Sequence, residues 1–382
     1  MTDITKNLKT SPVFNLSLSS KELFHSNFLY WLSITYPDKI GAFFADEVCK
    51  LELKNKNCFD QKREENNIDF QFSYEDGTII YVENKVKSMP YLEQLERYGK
   101  EKESIKNKKM VLLSLTAPDF SRPDNWEYLT YQSYNDFLKR FETKDTYHKA
   151  LIDDYTKLID NLLIIEKMCD IDVDRDIFDF HSSEILKEMK ALRLHDLFLK
   201  KKYSNLAAML QKKTKAKFKN LAICDLGKFL ENKDNVASSD NPEIYFESGF
   251  LSHSQGAMGF KFRLKDYFFL LVQLQGESYR IGIEYLPPKA MRGKDTTANK
   301  FSELKEKFTD KWLNFFENKT KKTNGIIYPK GNACNVNKFG ETFNYRYINL
   351  GTKLSIKDLI NIMLEDIAQA IKLRDENINL KK

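Results

Sequence analysis

Apolar and polar residues alternate from Ile68 to Tyr74: Ile68, Phe70, Phe72 and Tyr74 are separated by Asp69, Gln71 and Ser73. A period of two sends one set to each face of a strand. Asp76-Gly77 follows, a dipeptide suited to a two-residue hairpin turn. The next run, Thr78 to Val82, is rich in β-formers and apolar on both faces, as interior strands are. Residues 66 to 85 therefore predict a hairpin whose second strand is central. Glu83 and Lys85 end that strand on one side. Asn84 points the other way, with its backbone carbonyl between them.

The period then changes. Ser88-Met89-Pro90 reads as a helix start, Ser88 the N-cap and Pro90 in the first turn. A helix from Pro90 to Glu103 puts Gln94 and Tyr98 one turn apart on one face. Lys109 to Leu115 and Glu127 to Tyr131 read as strands. Upstream, Glu22 to Leu32 predicts a helix capped by Ser19 or Ser20. These elements make a mixed α/β core with a crossover connection. A long helix, Tyr147 to Met168, follows.

A boundary is expected near residues 170 to 184, where Asp170, Asp172, Asp174, Asp176 and Asp179 punctuate the chain. The spacing lacks the glycine and terminal glutamate of an EF-hand, so a solvated linker or edge strand is favoured over a calcium loop. Helices are expected from Ser183 to Leu199 and from Ser204 to Lys215. Four runs, Glu243 to Leu251, Ala257 to Leu264, Tyr267 to Gln275 and Ser278 to Tyr285, predict an antiparallel meander that Pro287-Pro288 ends. Asn299 to Asn318 reads as an amphipathic helix with Phe301, Leu304, Phe308, Trp312 and Phe315 as core. Phe343 to Leu350 reads as a strand and Ser355 to Lys372 as a last helix. The expected organisation is an α/β domain at 1–170 and an α+β accessory domain at 184–382, serving substrate binding, sensing or oligomerisation.

Asp69, Glu83 and Lys85 stand out, because desolvating an unpaired charge is costly. A cross-strand ion pair on a solvated face would explain them, but the apolar run into Glu83 leaves little solvated face. Two carboxylates and a backbone carbonyl suit a hard divalent cation, Mg²⁺ or Mn²⁺, that neutralises phosphate charge and activates water. Asp69, Glu83 and the Asn84 carbonyl are the expected metal ligands. Lys85 would orient or deprotonate the water or steady the phosphate charge, Gln94 would position these groups, and Tyr98 would contact the backbone.

The order D-x(13)-E-x-K followed by Q-L-x-x-Y at 94–98 resembles the PD-(D/E)XK nuclease superfamily, and the second element is similar to the motif of its RecB-type branch. Residues 22 to 32 are similar to the opening helix of the bacterial PD-(D/E)XK family 4. The resemblance spans about residues 18 to 140; Ile68 stands where the family name has proline. It implies a restriction-endonuclease-like core, a mixed central sheet flanked by helices, and metal-dependent phosphodiester hydrolysis of DNA ahead of RNA. It also implies an N-terminal metal ligand, Glu22 or His25, where the plainer readings are a dipole-complementing Glu22 and a packed His25. A bacterial restriction or anti-phage role, as a homodimer or with a defence partner, is an analogy.

Composition narrows the field further. The chain has 382 residues, 42% hydrophobic and 13% aromatic, enough for two cores. No stretch reads as a signal peptide or membrane span, so no membrane association and a cytoplasmic location are expected. The five cysteines, Cys49, Cys58, Cys169, Cys224 and Cys334, form no C-x-x-C pair. His195 and His253 are isolated. The net charge is +6, and lysines cluster at 200–202 and at Lys212, Lys213, Lys215, Lys217 and Lys219. With Lys201 and Lys202 these form a candidate phosphate-binding patch, against the commoner reading of a solvated helix face. Lys106 to Lys109 is a second candidate. A catalytically silent nucleic-acid-binding subunit, an RNase and a sensor are the alternatives to a DNase.

Overall fold

The computed structural model describes residues 2–18, 22–65, 67–118, 120–219, 223–225, 244–250, 256–265, 267–286, 306–314, 336–340, 342–350 and 354–379. Ser19, Ser20, His253, Pro287-Pro288, Phe301, Leu304, Phe315 and Cys334 lie outside them. The chain divides into two units, Met1–Asp170 with Glu184–Lys201, and Ile171–Ser183 with Lys202–Lys382. Residues 184–201, expected in the second domain, therefore belong to the first unit.

Helices α1 (Thr2–Thr10), α2 (Pro12–Ser17), α3 (Glu22–Thr35) and α4 (Pro37–Ala42) open the first unit, and a π-helical turn continues over Phe43–Val48. Ser11 caps α2 through its side chain, with proline in the first turn. Strands β1 (Phe59–Glu65), β2 (Ile68–Ser73) and β3 (Ile79–Lys85) follow. Helix α5 (Leu92–Glu101) then crosses to β4 (Lys108–Ser114), and β5 (Trp126–Thr130) comes next. Helices α6 (Tyr131–Lys139), α7 (Thr146–Lys167) and α8 (Glu184–Ala191) complete the unit, together with the start of α9 (His195–Lys217).

The five strands lie in the order β1-β2-β3-β4-β5. The pairs β1–β2 and β2–β3 are antiparallel, and β3–β4 and β4–β5 are parallel. β3 is thus the middle strand, as its two-faced apolar pattern predicted, and Phe70, Phe72, Ile80 and Val82 are fully buried. One face of the sheet packs Tyr81, Met110, Leu112 and Trp126 against Leu95 and Tyr98 of α5. The other meets α3 and the π-helical turn, with Tyr30 against Phe70 and Phe44 against Phe72.

Three local expectations change. The hairpin loop holds three residues between Tyr74 and Thr78: Tyr74 N–H donates to the Thr78 carbonyl and Gly77 N–H to the Tyr74 carbonyl. Gly77 takes φ +84°, and the Asp76 carboxylate accepts from the Thr78 amide and hydroxyl. β1 was not expected, because FDQKREE shows no apolar alternation. It is an edge strand, where charged side chains discourage pairing with another chain. α5 begins at Leu92 with Tyr91 at its N-cap, making no side-chain cap bond, so Ser88 does not cap it.

In the second unit β6 (Ile223–Asp225), β7 (Ile244–Phe250), β8 (Gly256–Lys265), β9 (Phe268–Gln275), β10 (Ser278–Tyr285), β11 (Asn337–Phe339) and β12 (Phe343–Asn349) form one sheet, ordered β11-β12-β10-β9-β8-β7-β6. β7 to β10 are the expected antiparallel meander, with Gly276 at φ +54° in the β9–β10 turn. Helix α10 (Ile356–Asn379) packs on β8 and β9, and Tyr279 donates to its buried Asp366 at 2.6 Å. A π-helical turn at Thr309–Leu313 buries Trp312, whose Nε1 donates to the Gly282 carbonyl at 3.0 Å. The break expected between Leu199 and Ser204 falls earlier, at residues 192–194, with Arg193 at φ +54°, and α9 runs unbroken past it. No helix among the described residues is long and apolar enough to cross a membrane.

Two glycines of the first unit should respond oppositely to alanine. A Cβ at Gly41 would stand 1.9 Å from the Lys56 carbonyl oxygen and 2.9 Å from the Cys58 amide nitrogen, both backbone atoms. Gly41→Ala should cost at least about 1–3 kcal/mol. At Gly99, inside α5, the nearest atom is Trp126 Nε1 at 3.8 Å, so Gly99→Ala should stabilise by about 0.5–1 kcal/mol. Urea unfolding midpoints of the two variants check both signs.

Candidate active site

The β2–β3 ladder ends at the Phe70–Val82 pair, and Asp69 and Glu83 are the next residues on the two strands. Glu83 lies on the face that α5 covers, and the Asp69 charge acts on it from β2. Asp69 Oδ2 accepts the Asn84 backbone N–H at 2.7 Å. Glu83 is 2% exposed, and its Oε1 accepts from Lys85 Nζ at 2.7 Å and Gln94 Nε2 at 3.0 Å. Gln94 Nε2 also donates to the Tyr98 hydroxyl at 2.9 Å, and Tyr98 is buried in the core beneath α5. The one-turn spacing of Gln94 and Tyr98 lets a single amide group join a carboxylate to a phenol. Glu83 Oε2 is buried with no hydrogen-bond partner.

Burial, and next the charge of Asp69, push the Glu83 carboxyl up to about 7. Burial also raises Asp69, against the pull of the Asn84 amide and the Lys85 charge. For Lys85 burial works downward, but Glu83, Asp69 and Glu22 outweigh it and hold the ammonium above its ordinary range. Lys85 is therefore protonated at neutral pH, beside a carboxyl that is near half-titration.

Glu22, in the first turn of α3, reaches the strand exit. Its Oε2 accepts the Val86 N–H at 2.7 Å, and its Oε1 accepts those of Lys87 at 2.7 Å and Ser88 at 2.6 Å. Its oxygens are committed to the backbone, and Ser88 Oγ, the atom an N-cap would use, is buried without a hydrogen-bond partner. His25 does not join the carboxylates. It is 1% exposed, its Nδ1 lies 3.0 Å from the Tyr155 hydroxyl, and its ring packs edge-on against Phe24 and Tyr131. Burial, and then the Lys87 charge, push its imidazole down to about 3. The aromatic residues around it make it a neutral core histidine.

The Asn84 side chain faces α3 and is buried. Its Nδ2 donates to Ser26 Oγ at 3.1 Å, and its Oδ1 accepts from the Tyr131 hydroxyl at 2.7 Å. Sequence reasoning singled out neither Ser26 nor Tyr131. The one signal for the former was its place beside His25, and Tyr131 carried none.

The lysine patch divides. Lys201 pairs with Glu166 at 2.9 Å, and Lys202 lies 3.9 Å from Asp176 and over the Phe180 ring. Both are largely withdrawn from solvent into ion pairs, so neither fits the expected patch. Lys212, Lys213, Lys215, Lys217 and Lys219 are exposed. Of the second candidate, Lys108 is turned back onto the Glu103 and Ile105 carbonyls. The aspartate stretch is likewise engaged, Asp174 with Lys357 at 2.9 Å and Asp172 with Arg175 at 3.6 Å. Among the described residues no group of three or more His, Cys, Asp or Glu is arranged to hold a metal ion. The structure thus brings together Asp69, Glu83, Lys85, Gln94 and Tyr98, braced by Glu22, and leaves His25 apart.

Comparison of the chain with protein-family models, with curated proteins and with solved structures gives no match.

A buried carboxyl raised above its unfolded value holds a proton in the folded state that the unfolded chain has lost, so stability falls as pH rises through that window. For Glu83 the window runs from about 4.5 to about 7. In EDTA, Glu83→Gln should gain stability relative to wild type as pH rises from about 5 to 8, by about 1.4 kcal/mol per unit of pKa shift removed, and level off above. Unfolding midpoints across that range check it; a pH-independent difference would contradict the ionisation described here.

Proposed function

We propose that the first unit is a metal-dependent nuclease, acting on DNA ahead of RNA, with a PD-(D/E)XK, restriction-endonuclease-like core. The observation that carries this reading is a pair of carboxylates, buried Glu83 at the end of the middle strand and half-buried Asp69 on its β2 neighbour, with Lys85 on Glu83 and Gln94 bracing it. A scaffold seldom buries two like charges side by side, because each raises the cost of ionising the other. Glu83 Oε2 has no partner, and a hard divalent cation takes oxygen donors of this kind. Asp69, Glu83 and the Asn84 carbonyl would hold Mg²⁺ or Mn²⁺, which when bound neutralises phosphate charge and lowers the pKa of water.

The remaining roles follow from the side chains. Lys85, charged at neutral pH, serves as a donor to the attacking water or a phosphate oxygen and not as a base. Gln94 holds the Glu83 carboxylate in one orientation, and Tyr98 anchors Gln94 to the core. Glu22 fixes the backbone at 86–88 just past Lys85. A silent nucleic-acid-binding subunit is the second reading. It is favoured by the closed Lys85–Glu83 ion pair and the lack of a three-ligand cluster among the described residues.

The deciding assay is cleavage of supercoiled plasmid, linear duplex, single-stranded DNA and structured RNA with Mg²⁺, Mn²⁺ or EDTA. Wild type should cleave only with metal, Lys85→Ala should lose about 100- to 10,000-fold, and Asp69→Ala should be inactive. The apparent Mn²⁺ affinity, read by thermal shift, should rise with pH up to about 7, because the metal displaces the Glu83 proton. Folded wild type that neither cleaves nor shifts with any metal would sink the nuclease reading.

A further inference from the structure

The sheet of the second unit has two unlike faces. Tyr279, Ile281, Ile283 and Tyr285 of β10 are buried on the face that holds α10. The opposite face of β10 carries Ser278, Arg280, Gly282 and Glu284, which pair across β12 with Asn349, Tyr347, Tyr345 and Phe343. Those three aromatic residues stand at alternate positions of one strand, each only partly covered. Phe343 and Tyr345 stack at 4.8 Å and 22°, and Tyr345 to Tyr347 is 6.1 Å. Gly282 makes room for the row: a Cβ there would lie 2.5 Å from the Phe343 ring. On the edge strand, Phe339 pairs with Phe343 and is 75% exposed.

Arg280 completes the face. Its guanidinium lies 5.0 Å from the Tyr345 ring centroid and donates to Gln275 Oε1. No carboxylate among the described residues neutralises it, and its Nε is buried without a partner. Gln273 pairs with Arg280 across β9–β10, and its Oε1 is a buried acceptor without a donor. A half-buried, uncompensated cation is costly to keep. An anion alone would answer the charge but leave the rings bare. An aliphatic partner would answer the rings but leave the polar groups unpaired. Nucleotides offer an aromatic face, hydrogen-bonding edges and a phosphate together, and only unpaired bases present those faces.

We propose that this face binds single-stranded nucleic acid, bases stacking on the aromatic row that opens at Phe339 and Tyr347, and Arg280 and Gln273 taking a base edge or the adjoining phosphate. The site belongs to the second unit alone and needs no catalysis.

Fluorescence anisotropy of the full chain in EDTA tests it, with labelled single-stranded DNA and RNA of about 15 nucleotides and a duplex of the same sequence. Single strands should bind at least about tenfold tighter than duplex. Tyr347→Leu and Phe339→Ser should each weaken binding about 5- to 100-fold. Tyr345→Phe should keep it, and Arg280→Gln should lower both affinity and its salt dependence. Phe339→Ser, altering an exposed ring, reports on the face even where a core-side variant fails to fold. Duplex preference, absence of single-strand binding, or unchanged binding by Phe339→Ser and Arg280→Gln would overturn the proposal. So would a dimer that Phe339→Ser converts to monomer without changing nucleotide binding, which makes the face a contact between copies. Absence of cleavage leaves these results intact; cleavage with unaltered binding in the variants defeats this inference alone.

Discussion

Two carboxylates facing each other inside a sheet must be neutralised or protonated, and the architecture around residues 83 to 88 answers that requirement. Lys85 supplies charge, Gln94 and the Asn84 amide supply hydrogen bonds, and Glu83 still titrates near neutrality. Remove the lysine and the site holds two uncompensated acids in a poorly solvated place, which pairing normally forbids. The middle strand is thus fixed from both sides. The α5 face is occupied by the charged set, and the α3 face is tied through Asn84 to Ser26 and Tyr131. Glu22 closes the third side by gathering three successive amides. A strand end held this way has little freedom to shift Glu83 against Asp69.

The hairpin, the crossover helix and the two parallel strands were readable because their patterns are local: period two in 68–74, a two-faced apolar run into Glu83, one-turn spacing at 94 and 98. Gln94 could be placed on the helix, and its bond to Glu83 follows from where that helix crosses. What the pattern hid has physical reasons. β1 carries charges because it is an edge, so its pairing with β2 left no hydrophobic trace. Ser88 had the residue type of a cap, but its backbone is held by a carboxylate 66 positions away and the helix begins only at Leu92, leaving its hydroxyl without a partner. His25 looked like a ligand because histidine is a ligand type. Its neighbours Phe24, Tyr131 and Tyr155 decide otherwise, and two of them are distant in sequence. Lys201 and Lys202 looked like a patch because charge runs show no partners, and Glu166 and Asp176 are found only in three dimensions.

The second unit treats charge differently. On the face of its sheet away from α10, the buried Lys261 sits between Glu247 at 3.2 Å and Glu284 at 2.7 Å. There the lysine charge is answered by carboxylates of β7 and β10. Two strands away from Lys261, on β10, Arg280 has a ring and an amide beside it and no acid among the described residues. Within one sheet, then, one basic side chain meets carboxylates and the other, among the described residues, meets a ring and an amide.

The sequence distances of these bonds also set an order of assembly. Asp69 and the Asn84 amide are joined across 15 residues by a hairpin, whereas Glu22 reaches Val86 across 64. Closing the short loop costs less chain entropy than closing the long one. The acids are therefore brought together by a short closure, ahead of the brace that later confines them. An acidic folding medium, by keeping those carboxyls protonated, would ease that first step, so the repulsion that marks the finished site also acts on the speed at which the chain reaches it.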